Sequence, residues 1–204
     1  MSEPTSEMMS KRDKAKAARR RLIVEAAMVC FVEQGIHQTG IRDIAKQANV
    51  SLGNLYNHFA GKSELITEIA VLEGRDVSQY VELLESHGNP VSGILQFADH
   101  YLEHVSHPDV AILSFEIMVE ALRTPAIAAE FESNRRRLID ALSMAMQRGK
   151  SDGTIHADLD PTETAGLIFD AIEGLGLRAG MARKKPGKAA RAALQGMIKR
   201  TLCV

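Results

Sequence analysis

The chain has 204 residues, 45% of them apolar, with 25 Lys or Arg against 26 Asp or Glu and a formal net charge of −1. That length suits one large domain or a small one beside a medium one, and the composition excludes a globally disordered chain. No apolar run approaches the ~18 residues of a membrane span, no signal peptide is expected on so polar an N-terminus, and Cys30 and Cys203 are too few and too distant for a disulfide framework. A cytoplasmic protein is expected. The charge is unevenly spread: residues 1–62 hold ten Lys or Arg and six Asp or Glu, leaving the remainder acidic. Lys11, Arg12, Lys14, Lys16, Arg19, Arg20 and Arg21 crowd into eleven positions against Asp13 alone.

Residues 1–13 read as a disordered basic arm. A first helix is expected from Lys14 to Glu33, burying Leu22, Ile23, Ala26, Ala27, Cys30 and Phe31 and stopping at Gly35. A second runs from Ile41 to Ala48, with Ile41, Ile44, Ala45 and Ala48 on one stripe. Asn49 stands where the chain must reverse, and asparagine is among the few non-glycine residues that tolerate positive φ. Ser51 is a good N-cap for a third helix from Leu52 to Phe59, with Leu55 and Phe59 inward. Its other face offers Leu52, Gly53, Asn54, Tyr56, Asn57 and His58. Two short helices crossing at a tight turn, the second displaying hydrogen-bonding groups, is the geometry of a major-groove reader.

Downstream, breakers mark each boundary. A fourth helix spans Lys62 to Glu85. Asn89-Pro90 and Asp160-Pro161 each read as a cap followed by an N1 proline, His107-Pro108 separates a fifth helix from a sixth, Thr124-Pro125 restarts a seventh, and Lys184 to Gly187 break the chain before a last helix from Lys188. No strand or internal repeat is evident. The fold expected is all-α with about nine helices: a three-helix helix-turn-helix domain over 14–61 and a larger helical domain over 62–204.

The string Thr39, Ile41-Arg42-Asp43-Ile44-Ala45, Val50-Ser51, Gly53, Leu55-Tyr56, His58-Phe59 and Lys62 resembles the tetracycline-repressor (TetR) family of bacterial transcriptional regulators. Gly40, Asn49 and Leu52 depart from that pattern; the first and last each remove a possible DNA contact. The resemblance implies a homodimeric repressor that binds a roughly palindromic double-stranded operator through Thr39, Arg42, Ser51, Leu52, Gly53, Asn54, Tyr56, Asn57, His58 and Lys62. The basic run upstream is then expected to track phosphates or enter a minor groove. No catalytic group, cofactor or membrane partner is expected.

Family likeness further implies a small-molecule effector, expected to be largely apolar, in a pocket for which Phe97, Tyr101, Phe115, Met118, Phe131, Met144 and Phe169 are candidates. A dimer surface is expected from Ile168, Ile172, Leu175, Gly176, Ala179, Leu194, Met197 and Ile198, where glycines inside a helix suggest close approach of a partner. The G-x-G-x-x-x-G around Gly174 and Gly176 lies within a helical pattern, so it is not read as a nucleotide loop. His100 and His104 have an i, i+4 spacing that could suit a metal, with Asp99 and Glu103 nearby, but no Cys joins them, and no metal is assigned. Two other classes stay open: a ligand-independent DNA-bound structural or division regulator of the same fold, and a helical carrier or enzyme.

Overall fold

The computed structural model describes residues 10–203. They form α1 (Lys11–Gln34), α2 (Ile41–Gln47), α3 (Leu52–Tyr56), α4 (Lys62–Ser86), α5 (Pro90–Val105), α6 (Pro108–Ala121), α7 (Pro125–Ser151), α8 (Pro161–Met181) and α9 (Lys188–Leu202). Among the described residues every regular element is helical. The chain divides into two compact units, residues 1–69 and 70–204. This division falls within α4, between Ile69 and Ala70. The cause is local: Leu65, Ile66 and Ile69 on the first turns of α4 are buried with the smaller unit's core.

In that smaller unit α1 starts at Lys11, three residues earlier than its apolar stripe suggests, because Ser10 and Asp13 form a reciprocal capping box. The Ser10 hydroxyl accepts from the Asp13 N–H and the Asp13 carboxylate from the Ser10 N–H. The basic residues from Lys11 onward are thus helical, and the expected disorder of residues 1–9 lies outside the described residues. Gly35 ends the helix at φ 82°, its N–H donating to the Phe31 carbonyl. Asn49 makes the turn between α2 and α3 at φ 50°, the left-handed conformation expected of it. Ile23, Val24, Ala27, Phe31, Ile44, Leu55 and Phe59 close the core between the helices.

The second unit is a helical layer around α5 and α8. Each inner helix of this unit begins on a proline, which needs no N–H partner there and presets the helical φ. Asn89 and Asp160 add side-chain caps to α5 and α8. The core gathers Ile94, Phe97 and Leu102 of α5, Leu142 and Met146 of α7, Ile168, Phe169 and Ile172 of α8, and Ile198 and Leu202 of α9. Gly176 and Gly180 let α8 press against the α5–α6 junction: a Cβ at either position would collide with Val105 or Ala111. Arg191 on α9 bonds Asp99 (2.8 Å) and Glu103 on α5.

Candidate nucleic-acid interface

Helix α3 is only five residues long, opened by Ser51, whose hydroxyl accepts the Asn54 N–H at 3.1 Å. Its chain then turns through Asn57 and His58 to place Phe59 in the core. Leu55 and Phe59 are the inward anchors. Tyr56 is 53% exposed, and Ser51, Gly53 and Asn57 also face solvent. Nothing among the described residues lies within van der Waals reach of a Cβ built at Gly53. A glycine inside a helix costs roughly 1 kcal/mol relative to alanine, and no internal contact requires this one.

Other expected contacts are placed differently. Thr39 is 1% exposed, and its hydroxyl is directed at the Gly35 carbonyl (2.7 Å) and the Cys30 carbonyl (3.2 Å), closing the end of α1. Lys62 Nζ donates to the Ile36 carbonyl at 2.7 Å and lies 3.3 Å from that of His37. Both residues tie the loop after α1 to its neighbours. Leu52, Asn54 and His58 are half-buried, with Asn54 Oδ1 and His58 Nδ1 shielded from solvent and unpaired. Burial lowers the His58 pKa, assisted by the positive charges of Arg20, Lys16 and Arg19. Arg42 is exposed near the start of α2.

The flank of α3 is basic. Lys11, Arg12, Lys14, Lys16 and Arg19 are exposed along α1, and the influence of Lys16 and Arg19 on His58 brings their charges beside the end of α3. Arg21 pairs with Glu25 at 2.8 Å on the same helix. Arg20 turns inward, onto the His58 carbonyl, the Phe59 ring and two carboxylates of α4. Its register, one turn before Ile23 and Val24 and two before Ala27, was the available signal that it leaves the basic face.

In the larger unit the aromatic residues expected to line a pocket separate into two groups. Phe97, Tyr101 and Phe169 are buried together, with Tyr80 joining them: the Phe97 and Tyr101 rings stack at 5.4 Å and Phe169 lies 5.2 Å from Tyr101. Phe131 is half-buried. Phe115, Met118 and Met144 are exposed, because α6 turns Ala111, Leu113 and Ile117 inward and α7 turns Leu138, Ala141, Leu142, Ala145 and Met146. These three cannot share one enclosed lining with the inner rings. A shallow groove of about 480 Å³ runs instead along Met144, Gln147, Arg148, Ser151 and Asp152.

Two carboxylates near the inner rings escaped sequence reasoning. Glu73 has an unpaired, shielded Oε2, and burial raises its pKa to about 7, with Glu173 and Asp76 adding repulsion and an Asn134 hydrogen bond opposing it. Burial likewise raises Glu173. Glu73 continues the series Ile66, Ile69, Ala70 and precedes Val77, a spacing that puts it on the buried face of α4.

The residues expected to pair two subunits differ in exposure. Ile168, Ile172, Gly176, Leu194 and Ile198 are buried inside their own chain, Leu175 and Ala179 are half-buried, and only Met197 of that set is exposed. The outward side of α8 carries Leu167, which is 70% exposed, and Met181. A Cβ at Gly166 or Gly174 would meet nothing among the described residues.

A short exposed helix packed against two others, one of them basic, defines a DNA-binding helix-turn-helix protein. Family comparison agrees on both units. Residues 23–69 match the model described as "Bacterial regulatory proteins, tetR family", and residues 85–200 the "Tetracyclin repressor-like, C-terminal domain". The chain belongs to the TetR family of transcriptional regulators. It is 29% identical over 161 residues to the HTH-type transcriptional regulator UidR of Escherichia coli K12, covering 76% of this chain and 79% of that one. It is 28% identical over 149 residues to the HTH-type transcriptional repressor KstR2 of Mycobacterium tuberculosis H37Rv, covering 70% and 74%. Its fold resembles that of the regulator FadR from Bacillus subtilis in complex with stearoyl-CoA, with a TM-score of 0.74 at 20% identity over 88% and 95% of the two chains. No helix among the described residues is long and apolar enough to cross a membrane.

Proposed function

We propose that this protein is a homodimeric, cytoplasmic repressor that reads a roughly palindromic operator through α3 and leaves it when a small molecule enters the larger unit. It acts by binding and not by turnover. The observation that carries the DNA reading is Gly53: an exposed glycine within α3 that no internal contact requires, next to exposed Tyr56 and Asn57. Absence of a side chain there allows a phosphate backbone to approach closely. Tyr56 is assigned to phosphate, and Asn54 and Asn57 to base edges or the backbone beside them. Lys16 and Arg19 supply the salt-dependent attraction. Thr39 and Lys62 serve as struts of the reading head.

A complex of one similar fold with stearoyl-CoA supports an effector within the helical unit. The Tyr80, Phe97, Tyr101 and Phe169 cluster, bordered by Glu73 and Glu173, is the region assigned to it. An amphipathic effector suits that mixture better than a purely apolar one. Pairing of subunits is assigned to the outward side of α8, around Leu167 and Gly174, with Met197 of α9.

Fluorescence anisotropy on a duplex selected from a random-sequence library tests the DNA reading. Gly53→Val should weaken binding at least tenfold while the melting temperature stays within a few degrees, since a Cβ added there meets nothing among the described residues. Undiminished affinity of Gly53→Val would remove α3 from the interface.

A further inference from the structure

Arg20 stands in the run of basic residues that sequence alone assigns to DNA, yet its surroundings are all internal to the smaller unit. Its side chain is 27% exposed. Nη1 donates to the His58 carbonyl at 2.6 Å and lies 3.7 Å from Glu64 Oε1. Nη2 pairs with the Glu68 carboxylate, and the guanidinium carbon sits 4.2 Å above the Phe59 ring. Glu64 in turn accepts the Ala60 N–H at 2.7 Å. One planar cation therefore joins three pieces of chain: α1, the turn that ends α3, and the first turns of α4.

The His58 carbonyl is the group that makes this arrangement more than a surface ion pair. Helix α3 has five residues, too few to be stable alone, since isolated helices much shorter than ~12 residues are marginal in water. Its placement depends on what holds its ends. Ser51 fixes the start, and Leu55 and Phe59 fix the inner side. The carbonyl side of its exit is held by Arg20. A guanidinium serves this role because its donors fork in one plane and can hold a carbonyl and a carboxylate together while the face covers an aromatic ring. Lysine, with a single charged nitrogen, cannot make that set of contacts.

We propose that Arg20 is a positioning residue for DNA reading rather than a phosphate contact, coupling the exit of α3 to Glu68 and Glu64 on α4. The proposal rests on α3 being the reading helix. It adds that a shift of the first turns of α4 draws Arg20, and with it the His58 carbonyl, so the reading helix follows α4.

The sign of one substitution separates positioning from charge. Glu68→Ala removes a negative charge from the DNA-binding unit, which by electrostatics alone should tighten binding to a polyanion. Loss of the α4 anchor for Arg20 should instead weaken it. The experiment measures anisotropy on the library-selected duplex across a range of salt, with the full chain and with Glu68→Ala, Glu68→Gln, Arg20→Lys and Arg19→Ala, and hydrogen exchange of residues 52–59 in parallel. Charge-assisted hydrogen bonds of this kind correspond to roughly a tenfold change in equilibrium.

Glu68→Ala and Arg20→Lys should each weaken binding about tenfold with an unchanged salt slope and faster exchange across residues 52–59. Glu68→Gln, which keeps an acceptor for the guanidinium, should recover part of the loss. Arg19→Ala should reduce the salt slope by about 0.9, one phosphate's worth. Tighter binding by Glu68→Ala, or full affinity of Arg20→Lys with unaltered exchange, would overturn the proposal. Failure of the unmodified chain to enrich any duplex would instead overturn DNA reading itself, and exchange of residues 52–59 in Glu68→Ala would still decide whether Arg20 holds α3.

Discussion

At Gly40 the second helix has half a capping box. The Gly40 N–H donates to Asp43 Oδ2 at 2.9 Å, but glycine has no hydroxyl to return to the N3 amide. Its φ of −90° and ψ of 155° suit any residue, and the closest obstacle to a Cβ is the far end of the Asp43 side chain. Gly40→Ser should stabilise the chain by about 0.5–1 kcal/mol, from a completed cap and a less flexible unfolded chain. Chemical denaturation would check this. Glu73 is the opposite case. With its folded pKa raised from the usual 4.5 to about 7, the folded chain holds a proton that the unfolded chain releases between those values. Stability is then full below pH 4.5 for this group. It declines as pH rises towards 7, by about 1.4 kcal/mol for each pH step of one between the two values. Glu73→Gln should flatten that decline and raise the melting temperature at about pH 8 more than at about pH 5, on either side of most of that window. Equal changes at both pH values would mean that Glu73 is ionised throughout.

Helix starts were legible where their chemistry is local. Pro90, Pro108, Pro125 and Pro161 each open a helix because an N1 proline acts on its own residue, and Asn49 takes positive φ for the same kind of reason. Helix faces were legible only where polar residues alternate with apolar ones. In α6 apolar residues surround the axis, so the sequence could not tell that Phe115 and Met118 face out while Ala111 and Ile117 face in. In α8 the glycines have two different causes that the sequence does not separate. Gly176 admits Val105 from within the chain, whereas Gly174 faces open space. Gly176→Ala should overpack the core and destabilise by about 1–3 kcal/mol. Gly174→Ala should raise the stability of an isolated subunit by up to ~1 kcal/mol and weaken subunit pairing, which sedimentation analysis would read as a dimer dissociating at higher concentration. Unchanged pairing in Gly174→Ala and in Leu167→Glu alike would move the interface away from this side of α8.

For the molecule as a whole, the proposed switch is a linkage between two sites. An effector that lowers DNA affinity must lose affinity by the same factor when DNA is bound. The shared element is α4, whose first turns hold Glu64 and Glu68 in the smaller unit and whose later turns hold Glu73 and Tyr80 in the larger. Reading of base sequence through α3 is decided by selecting bound duplexes from a random library with the unmodified chain and with Asn54→Ala. The unmodified chain should enrich two inverted half-sites about one helical turn apart or a multiple of it, with Asn54→Ala keeping that spacing while losing preference at one or two base pairs, a loss of ~1–3 kcal/mol where the contact is bidentate. Enrichment of the same positions to the same degree by both proteins, or no enrichment by either, would contradict it.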